Sequence, residues 1–184
     1  FEGYAQSVRA IMQASENGRL SGIFAPISKL ISVDARFSLA IETALGANLQ
    51  NIVVKDESAA KAAITFLKTN NAGRSTFYPL TSVRGQALRE AEFSHYAGFL
   101  GVASTLVQYD GKFTPVMESL LGKTLVFDNL DHATDMAKAN GYRTRIVTLD
   151  GQIINAGGSF TGGRAKNENR NAPPRGRTGT MGKK

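Results

Sequence analysis

The sequence predicts an α/β fold made of two related lobes, with mixed sheets and flanking helices. Two observations carry it. Residues 51–80 read as strand, alanine-rich helix, glycine, strand, which is a β-α-β unit. A second run over residues 114–149 repeats the order helix, glycine, strand, helix, glycine, strand. The chain has 184 residues and is 42% apolar, enough to fill two small lobes.

Taken from the N-terminus, Tyr4, Val8, Ile11 and Met12 form the stripe of an amphipathic helix that Asn17-Gly18 stops. Residues 22–33 are apolar around Pro26 and read as a strand or buried loop. Asp34 caps a second helix whose buried face is Phe37, Ala40, Ile41, Ala44 and Leu45, with Gly46 at its end. Residues 51–54 are a β-branched strand. Helix 56–70 buries Ala60, Ala63, Ile64 and Leu67, Gly73 ends it, and a strand covers 75–80. In the second half, Thr114-Pro115 is a cap and first-turn pair for a helix that Gly122 closes. Residues 125–127 are a strand, and Asp128 or Asn129 caps a helix containing Leu130, Ala133, Met136 and Ala137. Gly141 ends that helix, and residues 143–149 are a strand. The expected division is a first lobe over 1–80, a linker over 81–98, a second lobe over 99–163 and a tail over 164–184.

Composition removes several classes of function. No apolar run approaches the ~20 residues of a membrane-spanning helix. No cleavage-site pattern follows the first helix, so no signal peptide is expected. Without cysteine there is no disulfide, thiolate zinc site or cysteine nucleophile, and His95 and His132 are too few for a histidine-built metal centre. An intracellular compartment fits. The net charge of +7 is unevenly placed. From Arg164 onward stand seven basic residues and one acid, a segment of +6, whereas residues 1–163 hold fifteen basic and fourteen acidic residues, only +1. The basicity is therefore a property of the tail. That tail offers no periodic apolar residue to offset its ordering entropy, so disorder is expected there.

The densest signal runs from Asp150 to Gly163. Asp150-Gly151 between two β-rich runs predicts a hairpin joining strands 143–149 and 152–155. Gly157-Gly158 and Gly162-Gly163 then flank Ser159-Phe160-Thr161. A phosphate-binding loop is disfavoured because no Lys-Ser/Thr and no helix follow. A hydrolase elbow is disfavoured because Thr161 stands where a second glycine belongs. Two readings stay open. Glycine permits close backbone approach, so this strand end could accept a segment of a second chain; or it is a flexible exit into the tail.

These residues, with the runs 98–103 and 121–126 and the opening Phe1-Glu2-Gly3-Tyr4, resemble the hinge domain of structural-maintenance-of-chromosomes (SMC) proteins, of the bacterial chromosome-partition type. The resemblance covers about residues 1–166. Ala156 departs from it, standing where the family often has proline. It implies the SMC hinge fold of two pseudo-twofold-related subdomains and a homodimer in which subdomain one of each copy meets subdomain two of the other. It carries the dimer interface onto Gly157, Gly158, Ser159, Gly162 and Gly163. It implies an ATPase whose head lies outside this domain, with no catalysis, cofactor or small-molecule substrate here and no membrane contact. A cytoplasmic, nucleoid-associated location is expected, and weak, sequence-independent DNA contact through Arg164 and Lys166, with Arg9 a lesser choice. Two other classes fit the residues alone: a small α/β ligand- or nucleotide-binding domain, and a basic nucleic-acid-binding domain.

Overall fold

The computed structural model describes residues 3–164 and the short strand Gly179–Thr180. Helix α1 (Gln6–Glu16) is followed by strand β1 (Ile23–Pro26), the single turn α2 (Ile27–Leu30) and strand β2 (Ser32–Val33). The apolar stretch 22–33 is thus neither one strand nor a loop. Pro26 fixes the φ that opens α2, and Ile27 and Ser28 are buried there. Next come α3 (Ser38–Leu45), β3 (Ile52–Val54), α4 (Glu57–Thr69) and β4 (Phe77–Pro79). The second half holds β5 (Phe99–Val102), β6 (Val107–Gln108), α5 (Thr114–Leu121), β7 (Thr124–Phe127), α6 (Leu130–Ala139), β8 (Arg145–Thr148), β9 (Ile153–Ile154) and β10 (Phe160–Thr161).

Two sheets carry the lobes. One has the order β1-β3-β4 and lies within residues 1–80; the other has the order β10-β9-β8-β7-β5 and lies within 99–163. In both, the β-α-β strands pair in parallel, Ile52 opposite Phe77 in the first and Thr124 opposite Arg145 in the second. The leading strand joins antiparallel in both and carries a register shift at the same point, between Ile23 and Ala25 and between Phe99 and Gly101. The Asp150-Gly151 hairpin forms as expected, with Ile146 opposite Ile154.

Capping chemistry repeats too. Asp34 accepts the amide of Arg36 (2.9 Å) and Asp110 that of Lys112 (3.0 Å). Each caps a 3-10 turn that leads into the helix, so neither Asp34 nor Thr114 caps the helix itself; the Thr114 hydroxyl instead donates back to Gly111 C=O (2.7 Å). Asp56 caps α4 and Asn129 caps α6, each through its side-chain oxygen. The signal for the duplication was readable at residue level, for residues 22–46 align with 98–122 without a gap. Gly22, Ser28, Leu30, Asp34, Phe37, Glu42, Leu45 and Gly46 fall on Gly98, Ser104, Leu106, Asp110, Phe113, Glu118, Leu121 and Gly122. In this alignment Ser32 is equivalent to Gln108, and the two pair antiparallel between β2 and β6. The local twofold passes through that pair.

The lobes do not have separate interiors. A central core takes Ile27, Ile41 and Val53 from one lobe and Val107, Met117, Val126 and Val147 from the other. Outer cores lie under α1 and α4 on the first sheet and under α6 on the second. Alternation along the strands explains this: Ile52 and Val54 face the outer core while Val53 faces the shared one. Ile64 departs from the expected stripe of α4. It is 47% exposed, because Ala60, Ala63 and Leu67 already fill the buried face. Residues 81–98 are more than a connection: Phe93 is buried in the outer core of the second lobe, Gly85 lies against the backbone of α5, and Leu88 N–H donates to Gly122 C=O (2.8 Å). In the tail, Gly179–Thr180 (β11) pairs antiparallel with β2, so the expectation of disorder fails at these two residues. Backbone pairing needs no apolar side chain.

Candidate dimerisation edge

Strand β10 closes one end of its sheet and bears the glycine-flanked segment. The turn before it is held by Asn155, whose N–H donates to Ser159 C=O (2.7 Å) and whose side-chain amide donates to the Thr161 hydroxyl (3.1 Å). Gly158 N–H donates to Asn155 C=O (3.0 Å) and Gly157 N–H to Tyr142 C=O (2.8 Å). Beyond Thr161 the Gln152 side chain acts as one more rung, accepting Gly163 N–H (2.8 Å) and donating to Gly163 C=O (2.9 Å).

These bonds fix which way the edge faces. Ser159, Thr161 and Gly163 turn their backbone groups toward β9, so alternation points those of Phe160 and Gly162 outward. The Phe160 ring is 50% exposed, although it lies opposite buried Ile154. The glycines have two different causes. Gly157, Gly158 and Gly163 hold φ of +96°, +104° and +126°. Gly162 has no such φ, but a Cβ there would stand 2.1 Å from the side-chain Oε1 of Gln152. Around Gly157 and Gly163 the chain itself leaves open space.

Strand β4 ends the other sheet. Thr76 C=O accepts Ile52 N–H (3.0 Å) and Val54 C=O accepts Leu80 N–H (3.0 Å), so Phe77 turns its N–H and C=O away from β3. Pro79, without an N–H, is tolerated at such an edge.

Of the basic residues singled out, Arg164 is exposed beside the glycines and lines a groove of about 420 Å³ between α3 and β9–β10, with Leu49 and Ile153 among the apolar residues that line it. Arg9 is exposed on α1, at a distance in sequence from these glycines, and its guanidinium donates to Tyr4 C=O. Lys166 lies outside the described residues. Sequence reasoning passed over Phe160 and Phe77, whose backbone groups face outward at the two sheet ends. Their signal was present: an aromatic residue between two glycine pairs, and Phe-Tyr-Pro ending a strand. Among the described residues no three metal-ligating side chains gather, and no helix is long and apolar enough to cross a membrane.

Fold and edge together define a duplicated α/β module with a glycine-bracketed edge strand, and comparison with known proteins gives the family. Residues 20–137 match the SMC proteins flexible hinge domain. The chain is 44% identical over 172 residues to the chromosome partition protein Smc of Bacillus subtilis (strain 168), covering 92% of this chain and 14% of that protein. The Methanocaldococcus jannaschii protein of the same name is 39% identical over 153 residues, 83% of this chain and 13% of its own length. Among solved structures, the asymmetric dimer of the Geobacillus stearothermophilus SMC hinge domain superposes with a TM-score of 0.84 at 43% identity, covering 89% of this chain and 67% of that one. The Pyrococcus furiosus SMC hinge domain gives 0.73 at 29% identity, over 89% and 84%. The chain belongs to the SMC hinge-domain family. It spans about one seventh of the length of its curated relatives.

Proposed function

We propose that this chain is a non-catalytic coupling module that joins two SMC arms by pairing with a second copy of itself. The lobe of residues 99–163 in each copy meets the lobe of residues 1–80 in the other, at two equivalent junctions. One observation carries the reading: outward-facing backbone groups of Phe160 and Gly162 sit on an edge strand bracketed by Gly157-Gly158 and Gly162-Gly163, with no bonding partner among the described residues. An unpaired edge of this kind is completed by a strand from another chain. The parent protein, by this reading, is a chromosome-organising ATPase whose nucleotide site lies in a separate head. This domain works in the cytoplasm at the nucleoid and needs no cofactor.

DNA contact is weak and carries no sequence preference, because Arg164, Lys166 and Arg9 offer phosphate-neutralising charge without a recognition helix or stacking platform. Its affinity falls steeply as salt rises, and a salt-independent affinity in fluorescence anisotropy would contradict phosphate contact. Deleting residues 167–184 shows whether binding resides in the tail alone. A second reading, a small-ligand domain, is favoured only by the groove beside α3; a metabolite or nucleotide titration that saturated there with the chain monomeric would establish it.

The deciding experiment is sedimentation of the isolated chain. A dimer is expected at micromolar concentration. Replacing Gly157, Gly158, Gly162 and Gly163 by alanine should give monomers that circular dichroism still reports as folded. A dimer surviving all four changes refutes the interface.

A further inference from the structure

Resting on the dimer reading, we propose that Tyr142 and Gln152 are positioning residues of the interface. Each clamps one glycine pair from within the lobe, so the outward edge of β10 has its shape before a second copy arrives. Tyr142 holds φ +60°, and among the described residues only Asn71 shares a positive φ without being glycine. A bulky side chain is out of place there, and a fold keeps such a conformation only where its surroundings impose it. Ending α6 does not require it. Gly141, at φ +68°, already turns the chain out of the helix, and Tyr142 N–H then donates to Ala137 C=O (2.8 Å). The first lobe makes the same bond from Ala72 N–H to Leu67 C=O (3.0 Å), after Asn71 at φ +50°, and Ala72 itself has no positive φ. The extra left-handed residue of the second lobe serves the glycines instead. Tyr142 C=O accepts Gly157 N–H (2.8 Å), and its ring lies under Gly158, where a Cβ would stand 3.6 Å from it. One residue thus holds both members of the first pair.

Gln152 does the same for the second pair. Strand β10 ends at Thr161, but the Gln152 amide accepts Gly163 N–H (2.8 Å) and donates to Gly163 C=O (2.9 Å), which carries the ladder past Gly162. Gln152 is itself held in place. Its backbone N–H donates to the hydroxyl of buried Thr148 (3.0 Å), and its side-chain amide donates to Asp150 C=O (3.3 Å). The space around Gly157 and Gly163 stays open, so the clamps order these backbones without covering them. Glycine loses more conformational freedom on ordering than any other residue. Ordering four of them at the moment of encounter would weaken association, whereas ordering them during folding removes that cost from the binding step.

Sedimentation of four variants, each paired with a thermal melt, tests the role. Gln152→Ala breaks only exposed side-chain hydrogen bonds, so the dimer dissociation constant should rise about tenfold or more while the melting temperature stays within a few degrees. Gln152→Glu keeps an acceptor for Gly163 N–H but has no donor for Gly163 C=O, and should weaken the dimer likewise. Tyr142→Gly adopts the same φ freely but takes the ring from beneath Gly158, and should also weaken it. Tyr142→Phe keeps the ring and should match the unsubstituted chain. Should Tyr142→Gly unfold the chain by circular dichroism, the two Gln152 variants carry the test. A folded variant at either position, Tyr142→Phe aside, whose dissociation constant stays within about twofold of the unsubstituted dimer overturns the role of the residue it replaces, and the dimer reading stands. Tyr142→Phe weakening the dimer as much as Tyr142→Gly overturns the role of the ring. An unsubstituted chain that sediments as a monomer removes the dimer reading, and this inference with it.

Discussion

At the scale of single residues, the glycines around β10 answer two separate demands. Alanine at Gly157, Gly158 or Gly163 enters a region of φ that costs an L-residue about 1–2 kcal/mol. Gly162→Ala instead displaces the Gln152 amide that holds Gly163. Gly162→Ala alone should therefore barely move the melting temperature while weakening self-association in sedimentation, whereas Gly157→Ala should lower the melting temperature by several degrees. Glu57 gives a second prediction at this scale. The Thr81 hydroxyl, 2.5 Å away, holds its carboxyl below the ordinary value, with a hydrogen bond from Glu57's own backbone amide adding to the effect. A depressed carboxylate contributes at pH above its unfolded value and loses that contribution as pH falls through the lowered one. Thr81→Ala should move the Glu57 titration upward, as carbon-detected NMR would read. The glycine doublets were visible in the sequence, but the reason for each was not, since φ and the reach of Gln152 exist only once β8 and β9 have folded back.

Among elements, the ties between lobes come from side chains that no periodicity marks. Arg145 leaves β8 to donate to Ala44 C=O at the end of α3 (3.0 Å) and to the Thr124 hydroxyl (3.4 Å), and burial pushes its pKa down. Arg145→Met removes the partner of a helix-terminal carbonyl and should cost about 1–3 kcal/mol in chemical denaturation. Glu90 does similar service for the linker, accepting Val102 N–H (2.8 Å) and the Thr105 hydroxyl (3.0 Å). The helices, the caps of α4 and α6, and both β-α-β units were legible because apolar spacing and caps are local. Ile64 and the turn after Pro26 were not, because how wide a stripe is buried depends on what packs against it. The packing of residues 81–98 was not legible for the same reason: Phe93 and Gly85 acquire meaning only against α5 and α6.

For the whole molecule, the shared core sets the cooperativity. Met117 and Ile41 are fully buried between the lobes. Met117→Ala should cost about 2–5 kcal/mol. It should lower a single calorimetric transition for the whole chain; two transitions, with only one of them shifted, would mean that the lobes fold as separate bodies. Composition foretold enough apolar mass for two lobes, yet it could not foretell that the mass is pooled.

That pooling has a consequence for assembly. One copy carries two unlike edges, β10 on one sheet and β4 on the other, and heads and tails of this kind can either circularise in pairs or propagate from copy to copy. With a common interior clamping both sheets, the angle between the two edges is set while a single polypeptide folds, before any encounter. For the proposed dimer, stoichiometry is thereby decided in advance. A softened interior would free that angle and let the same edges polymerise.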